Sequence, residues 1–273
     1  MNSIPTDAAT VILLRACRQP DVKDIEVLMV QRRRKSSFVG GYYVFPGGVI
    51  DPEDYEPGVE RFIRGIARER AARIFNDMSR PEKAIGAWLA AIRETFEEVG
   101  ILLARKKDGS AIDIRSAEEC RRFGAYRKAL IKGEMKFLQV LEAEDITLDA
   151  DSLYYFSHWI TPVVLQLRYD VRFFAAEAPA RQSAVCDGVE LTRQIWRRPS
   201  LALKDYDAGE IGLILPQIMT LAALSRFKTF AEVVASLQDR PVPANLTEIK
   251  LIDGKEVEVM PDGTGREIRP PVY

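Results

Sequence analysis

Arg93-Glu94-Thr95-Phe96-Glu97-Glu98-Val99-Gly100-Ile101 is the segment with the most chemical content in this chain. On a helix, residues three and four apart share a face, so Glu94, Glu97 and Glu98 are expected to converge. Three carboxylates on one face repel one another unless a cation joins them. Hard oxygen donors select Mg²⁺ or Mn²⁺, and Mg²⁺ binds through few carboxylates together with substrate phosphate. Arg93 stands four residues before Glu97, a spacing at which the guanidinium pairs with one of these carboxylates and orients it. Taken alone, the segment reads equally well as a solvated acidic helix face, and the surrounding chain must decide.

Upstream, Ser79 with Glu82 three residues on and Pro81 in the first turn signal a helix start. That helix should run through Trp88, Leu89 and Ile92 to Val99, with Gly100 after its end. Val59–Phe75 carries Val59, Phe62, Ile63, Ile66 and Ile74 at helical spacing and predicts a helix of its own. Its apolar positions suit packing onto the domain, a lid or a dimer contact. Thr10–Leu14 and Ile25–Gln31 suit adjacent strands joined by the polar stretch around Pro20. The basic run Arg32 to Lys35 leads into a glycine- and aromatic-rich stretch that closes with Phe45-Pro46-Gly47-Gly48. Downstream, Ser116/Glu119 and Thr229/Glu232 repeat the capping-box spacing. Ser157–Pro162 and Tyr169–Ala175 look like strands, and Asp253-Gly254 is a hairpin turn between Ile249–Ile252 and Val257–Met260.

These residues resemble the Nudix hydrolases, whose box runs G-x5-E-x7-R-E-U-x-E-E-x-G-U with U aliphatic. Arg93–Ile101 matches its second half, with Thr95 the one imperfect U position. Phe45-Pro46-Gly47-Gly48 matches the loop that opens the box, with Gly48 as its first glycine. Asp54 stands where the family has Glu. An insertion of about thirty residues then splits the box, a length tolerable because loop-closure entropy grows only logarithmically. A split box is itself the trait of the peroxisomal coenzyme A diphosphatase branch and its bacterial relatives. Leu28-Met29-Val30-Gln31-Arg32, His158-Trp159-Ile160-Thr161-Pro162, Arg168-Tyr169-Asp170 and Arg172-Phe173-Phe174 are similar to strands of that branch. The upstream signature of coenzyme A-cleaving members differs here, with Arg33 and Ser37 at its Ser/Ala and second Arg positions. The terminal Pro271-Val272-Tyr273 is not a peroxisomal address.

The resemblance implies an α/β fold, the Nudix α/β/α sandwich with a mixed sheet, plus an inserted helical segment and extra C-terminal helices. It implies a Nudix domain over residues 1–240, with the insertion at about 55–86, and a C-terminal extension over 241–273. The site it implies comprises Arg93, Glu94, Glu97 and Glu98, with all three glutamates as ligands of Mg²⁺ or Mn²⁺. Arg32, Phe45, Gly47 and Gly48 are expected to bind substrate. A general base comes from the three glutamates or from one outside the box. Glu190 lies in a suitable loop, although an exposed surface glutamate is the more ordinary reading. Tyr42, Tyr43 and Phe45 suit either stacking on a base or the core. His158 is expected to be structural, since it has no carboxylate neighbour in sequence.

Composition agrees with carboxylate chemistry. The chain has 273 residues, 47% hydrophobic and 29% charged, with a formal net charge of −1 and a single histidine. A near-neutral chain has no global field toward nucleic acid or anionic membrane. One histidine argues against histidine-rich metal sites and most Ser-His or Cys-His mechanisms. Cys17, Cys120 and Cys186 are odd in number and widely spaced, so they read as reduced thiols of a cytoplasmic protein. No segment reaches the roughly 18 apolar residues of a membrane span. The expected partner is a small-molecule diphosphate, coenzyme A or acyl-coenzyme A first. ADP-ribose, a dinucleotide or a nucleotide sugar is the alternative substrate. A silent Nudix-fold binding module is the alternative of another class, and a homodimer is an expectation by analogy.

Overall fold

A computed structural model describes residues 3–36, 38–78, 80–238 and 240–271. Ser79, Ser37, Val272 and Tyr273, named above as a helix start, a signature position and the terminus, lie outside the described residues.

The first half comprises strands β1 (Thr6–Ala16), β2 (Ile25–Arg32), β3 (Tyr43–Val44), β4 (Gly47–Val49) and β5 (Ile63–Arg64). Helix α1 (Arg68–Ile74) and helix α2 (Gly86–Val99) follow, then β6 (Ala104–Lys106), α3 (Ala117–Ile131) and α4 (Phe137–Glu144). Next come β7 (Ile146–Asp149), β8 (Tyr154–Ile160), β9 (Tyr169–Glu177) and β10 (Leu191–Arg197). Helices α5 (Pro199–Asp207), α6 (Leu215–Leu224) and α7 (Phe230–Leu237) precede β11 (Ala244–Leu246), β12 (Glu248–Ile252), β13 (Lys255–Val259) and β14 (Gly265–Glu267).

Among the described residues, eight strands form one sheet in the order β10-β2-β1-β9-β8-β11, with β3 on β2 and β4 on β1. The pairs β1–β9 and β8–β11 are parallel and the rest antiparallel, so the sheet is mixed. Side chains alternate across a strand. Val11, Leu13, Leu28, Val30 and Phe174 therefore face one layer, where Leu89, Ile92 and Phe96 of α2 pack. Ile12, Leu14, Val27, Met29 and Phe173 face the other, covered by Tyr206, Ile218, Leu221 and Val233 of the C-terminal helices. This is an α/β/α sandwich. No helix among the described residues is long and apolar enough to cross a membrane.

Two local expectations are met by hydrogen bonds. Ser116 Oγ accepts from the Glu119 amide at 3.1 Å, and Thr229 Oγ1 from the Glu232 amide at 3.2 Å. Asp253 and Gly254 both take positive φ in the turn between β12 and β13. Helix α2 ends on Gly100 at φ +72°, where a residue without Cβ closes the last turn.

The insertion corrects one expectation. Val59–Phe75 is not one helix. It is a 3₁₀ turn at Val59–Phe62, the short strand β5, and then α1. Ile63 and Arg64 are drawn into extended pairing with Leu148 and Asp149 of β7, and Gly65 follows at φ +88°. Tertiary pairing overrode helical periodicity here. The helix expected from Pro81 also starts later, as a 3₁₀ turn over Pro81–Lys83 and then α2 from Gly86. The apolar residues of the insertion, Val59, Phe62, Ile63, Ala71 and Phe75, are buried in the same core cluster as α2. The insertion is thus packed as part of the domain, not held away from it.

Candidate active site

The site is assembled where β4 leaves β1 and meets α2. Gly47 and Gly48 pair with Thr10 and Ala9 of β1. A Cβ on Gly47 would come within 2.5 Å of Thr10 Oγ1 and 2.6 Å of Thr10 Cα, and one on Gly48 within 2.5 Å of Glu94 Oε1. The absence of side chains is what lets the loop lie flat against both the strand and the acidic helix face.

Arg93 anchors the acidic cluster, with Asp54 as its main partner. Its Nε donates to Asp54 Oδ1 and its Nη2 to Asp54 Oδ2, each at 2.9 Å. Nη2 also donates to the Val49 carbonyl at 2.9 Å, and Nη1 to Glu94 Oε1 at 2.7 Å. The expected partner Glu97 stands at 3.6 Å, a looser contact. Asp54 is only 3% exposed and sits at the end of a 3₁₀ turn, where its Oδ2 accepts the Asp51 amide at 2.8 Å. Burial works against the charge on Arg93, but Asp54, Glu94 and Glu97 outweigh it and hold its pKa above the usual value. The residue six past Gly48 therefore takes up the arginine despite the insertion between them.

Glu98 is 5% exposed, and its Oε2 accepts the Gly47 amide at 2.9 Å. Burial first, and the neighbouring Glu94 second, push its pKa well above the ordinary carboxylate range. Burial likewise pushes Glu94 up to about 7 against the pull of Arg93. Glu97 is raised by burial too, again against Arg93. Two buried carboxylates, one with only a backbone amide for a partner, form a donor set short of positive charge. Among the described residues, no three His, Cys, Asp or Glu side chains gather into a cage for an ion. What remains is the form Mg²⁺ accepts, a few carboxylates with the other positions left to water and phosphate. The chemistry of the residues present fits such an ion, with Glu94 and Glu98 as the donors best placed.

Arg32 closes the other side. Its charge acts on Glu98, its Nε is buried without a partner, and its Nη2 lies 3.8 Å from Glu190. Glu190 is 61% exposed at its side chain, and its charge also bears on Glu98. The loop before β10 thus delivers Glu190 to the rim of the acidic cluster. Phe45 does not belong with these groups. It is 2% exposed, meets Phe173 edge-on at 6.3 Å, and lies in the cluster on the far face of the sheet. Tyr43 and Phe45 fall in that cluster while Val44 between them packs in the opposite layer, the alternation of an extended chain, so Phe45 is core. Tyr43 is buried beside it, and the Tyr42 hydroxyl donates to the Arg269 carbonyl at 2.7 Å.

His158 is buried away from this cluster, between two carboxylates. Nε2 contacts Asp170, and Nδ1 lies 3.5 Å from Asp77 of the insertion. Arg172, fully buried, joins them, with Nη1 at 2.5 Å from Asp170 and Nη2 at 3.0 Å from Asp77. The network ties the insertion to β8 and β9. Sequence reasoning missed it because its members are distant along the chain. Thr95, the imperfect aliphatic position, is buried with its hydroxyl donating to the Ala91 carbonyl at 2.7 Å, so a polar atom is satisfied inside the helix.

The profile of the NUDT19 Nudix domain matches residues 6–224. The chain is 28% identical to the "Acyl-coenzyme A diphosphatase NUDT19" of Xenopus laevis over 79% of its own length and 64% of that protein. It is 28% identical to the protein of the same description from Homo sapiens, over 79% of this chain and 64% of that one. The chain thus spans under two thirds of the length of these curated relatives. Among solved structures, a NUDIX hydrolase from Alicyclobacillus acidocaldarius superposes with TM-score 0.70 at 26% identity, covering 88% of this chain and 99% of that one. The glycine loop, the acidic helix face and the split between them thus lie within a stretch matched as a unit, and the chain belongs to the NUDT19 Nudix domain family.

Proposed function

We propose that the protein is a divalent-metal-dependent diphosphatase acting on coenzyme A or acyl-coenzyme A. The observation that carries the reading is the burial of Glu94 and Glu98 against Gly47 and Gly48 with too little positive charge to balance them. The description of the curated relatives as acyl-coenzyme A diphosphatases supports the choice of substrate.

In this reading Glu94 and Glu98, with Glu97 beside them, would hold Mg²⁺ or Mn²⁺. The chemistry such an ion supplies when bound is neutralisation of charge on the diphosphate oxygens and a more acidic water. The protein's own residues do the positioning. The Gly47 amide holds Glu98, and Arg93, itself held by Asp54, orients Glu94. Arg32 brings an unpartnered buried N–H to the same place, suited to a phosphate oxygen. Glu190, exposed at the rim beside Arg32, is the group suited to accept a proton from the attacking water. Water adds its oxygen to one phosphorus and the bridging P–O bond breaks, so that each product leaves with a phosphate. From coenzyme A these are 4′-phosphopantetheine and adenosine 3′,5′-bisphosphate. The same reading takes the protein as cytoplasmic, with residues 1–240 as its Nudix domain and a homodimer as a state to test by size-exclusion chromatography.

The test is product analysis of the purified protein with Mg²⁺ or Mn²⁺ against coenzyme A, acyl-coenzyme A, ADP-ribose, NADH and a nucleotide sugar. Release of adenosine 3′,5′-bisphosphate from the coenzyme A compounds alone, abolished by EDTA, is the expected result. Turnover of another compound keeps the diphosphatase and discards the substrate. No turnover of any of them counts against the enzyme and for a binding module.

A further inference from the structure

We propose that Arg127 is a positioning residue for this hydrolysis, locking the loop that carries Glu190 onto the C-terminal end of the acidic helix. The inference rests on the diphosphatase reading and extends it to a residue outside the box, on α3.

The last carbonyls of a helix have no partners within it. In α2 these include the carbonyls of Glu97 and Glu98, one peptide away from the carboxylates of the site. Arg127 reaches across from α3 to take both. Its Nε donates to the Glu97 carbonyl at 2.6 Å, and its Nη2 to the Glu98 carbonyl. Its third nitrogen, Nη1, donates to the Val185 carbonyl at 2.6 Å. One planar guanidinium therefore binds the end of the acidic helix and the approaching loop together. A cation at this position also complements the negative end of the helix dipole.

The loop then repeats the contact from its own side. The Val185 amide donates to the Val99 carbonyl at 2.9 Å, and the Asp187 amide to the Glu98 carbonyl at 3.1 Å. From that fixed point Asp187 Oδ1 accepts three backbone amides, Val189 at 2.7 Å and Glu190 and Leu191 at 3.0 Å each. A carboxylate gathering three successive amides turns the chain tightly and sets where Glu190 emerges. The Arg33 amide holds the Glu190 carbonyl at 2.8 Å, and Arg32 meets its carboxylate. The path from Arg127 to Glu190 thus runs by hydrogen bonds through the Glu98 carbonyl and Asp187, with Val185 held beside it. Lysine cannot reproduce it, because one ammonium on a flexible stem does not span three fixed carbonyls.

The test compares wild type, Arg127→Lys, Asp187→Ala, Glu190→Gln and the double variants in Glu190→Gln, all as full chains with Mg²⁺ and coenzyme A. Arg127→Lys is expected to lower kcat by about tenfold with KM changed by less than about twofold, since misplacing a reacting group by an ångström or less has effects of that size. In the Glu190→Gln background the same substitution should lower kcat no further, because the group it places is already gone. Hydrogen exchange at the Val185 and Asp187 amides should speed up in Arg127→Lys. Asp187→Ala, which leaves the helix end capped by Arg127, should show the same dependence on Glu190. Unchanged kcat, losses that add in full to those of Glu190→Gln, or unaltered loop exchange would each overturn the proposal. An inactive wild type would sink the hydrolase reading and this one with it, whereas an active wild type with an unaffected Arg127→Lys sinks this one alone.

Discussion

Arg93 and Asp54 meet through two parallel hydrogen bonds of 2.9 Å, Nε to Oδ1 and Nη2 to Oδ2, although 39 residues separate them. The pair closes the gap that the insertion opens between the two halves of the box. Both side chains are buried, so removing the carboxylate takes the two-pronged partner from Arg93 and leaves Glu94 as its nearest anion. Asp54→Asn should therefore destabilise the protein by about 3 kcal/mol, in the range for a broken buried pair. Urea denaturation checks this, and turnover should fall with it because Glu94 loses the support behind its own arginine.

The two glycines of the loop should separate stability from activity. A Cβ at Gly48 meets the far end of the Glu94 side chain, which can shift, whereas one at Gly47 meets strand β1 itself. Gly48→Ala should lower kcat by about tenfold or more through a displaced Glu94 while changing Tm little. Gly47→Ala should lower Tm markedly. Thermal melts and steady-state kinetics on both variants distinguish the outcomes, and a Gly48→Ala protein with full activity would remove Glu94 from the site.

Glu98→Gln keeps an acceptor for the Gly47 amide but removes the charge. Turnover should fall by at least about a hundredfold, since in the proposed function Glu98 is a ligand of a metal-dependent step. The metal-free protein should not lose Tm, because the substitution removes a carboxylate whose burial opposes ionisation. Kinetics and calorimetry with EDTA present test the two halves independently.

The network around Arg172 predicts a dependence on pH. Burial alone would raise the pKa of Asp170, but His158 and Arg172 together outweigh it and hold it below the ordinary value. A carboxylate with a depressed folded-state pKa stabilises the fold above its unfolded value of about 3.9 and loses that contribution as pH falls through the folded one. Asp170→Asn should therefore cost about 2 kcal/mol at pH 7, a charged hydrogen bond to a buried arginine being lost. The gap to wild type should narrow as pH drops below about 4. Denaturant midpoints of both proteins at neutral and acidic pH measure it, and a constant gap would remove Asp170 as its source.

Much of the candidate site's geometry was legible because it is local. The acidic face of α2 follows from residues three and four apart, its end from Gly100, and the caps at Ser116 and Thr229 from a three-residue spacing. The insertion was read less well. Its apolar residues recur at helical spacing, yet Ile63 and Arg64 pair with β7, and a partner strand more than eighty residues away leaves no mark on local periodicity. Phe45 was misread for a related reason, since its neighbours in sequence are site residues while its side chain faces the opposite layer.

The sequence by itself determined the family resemblance, with the α/β/α layering that it implies, and the carboxylate character of the chemistry. Those properties reside in residue types and short spacings, which the backbone converts into faces by fixed periods. Only the tertiary structure decided that Asp54 receives Arg93, that Glu190 reaches the rim of the acidic cluster, that Arg127 binds the helix end to the loop, and that His158 has two carboxylates beside it. Each of these is a contact between segments whose separation along the chain is free to vary, because closing a longer loop costs little more than closing a short one. Spacing therefore carries no record of them, and three-dimensional packing alone brings the partners together.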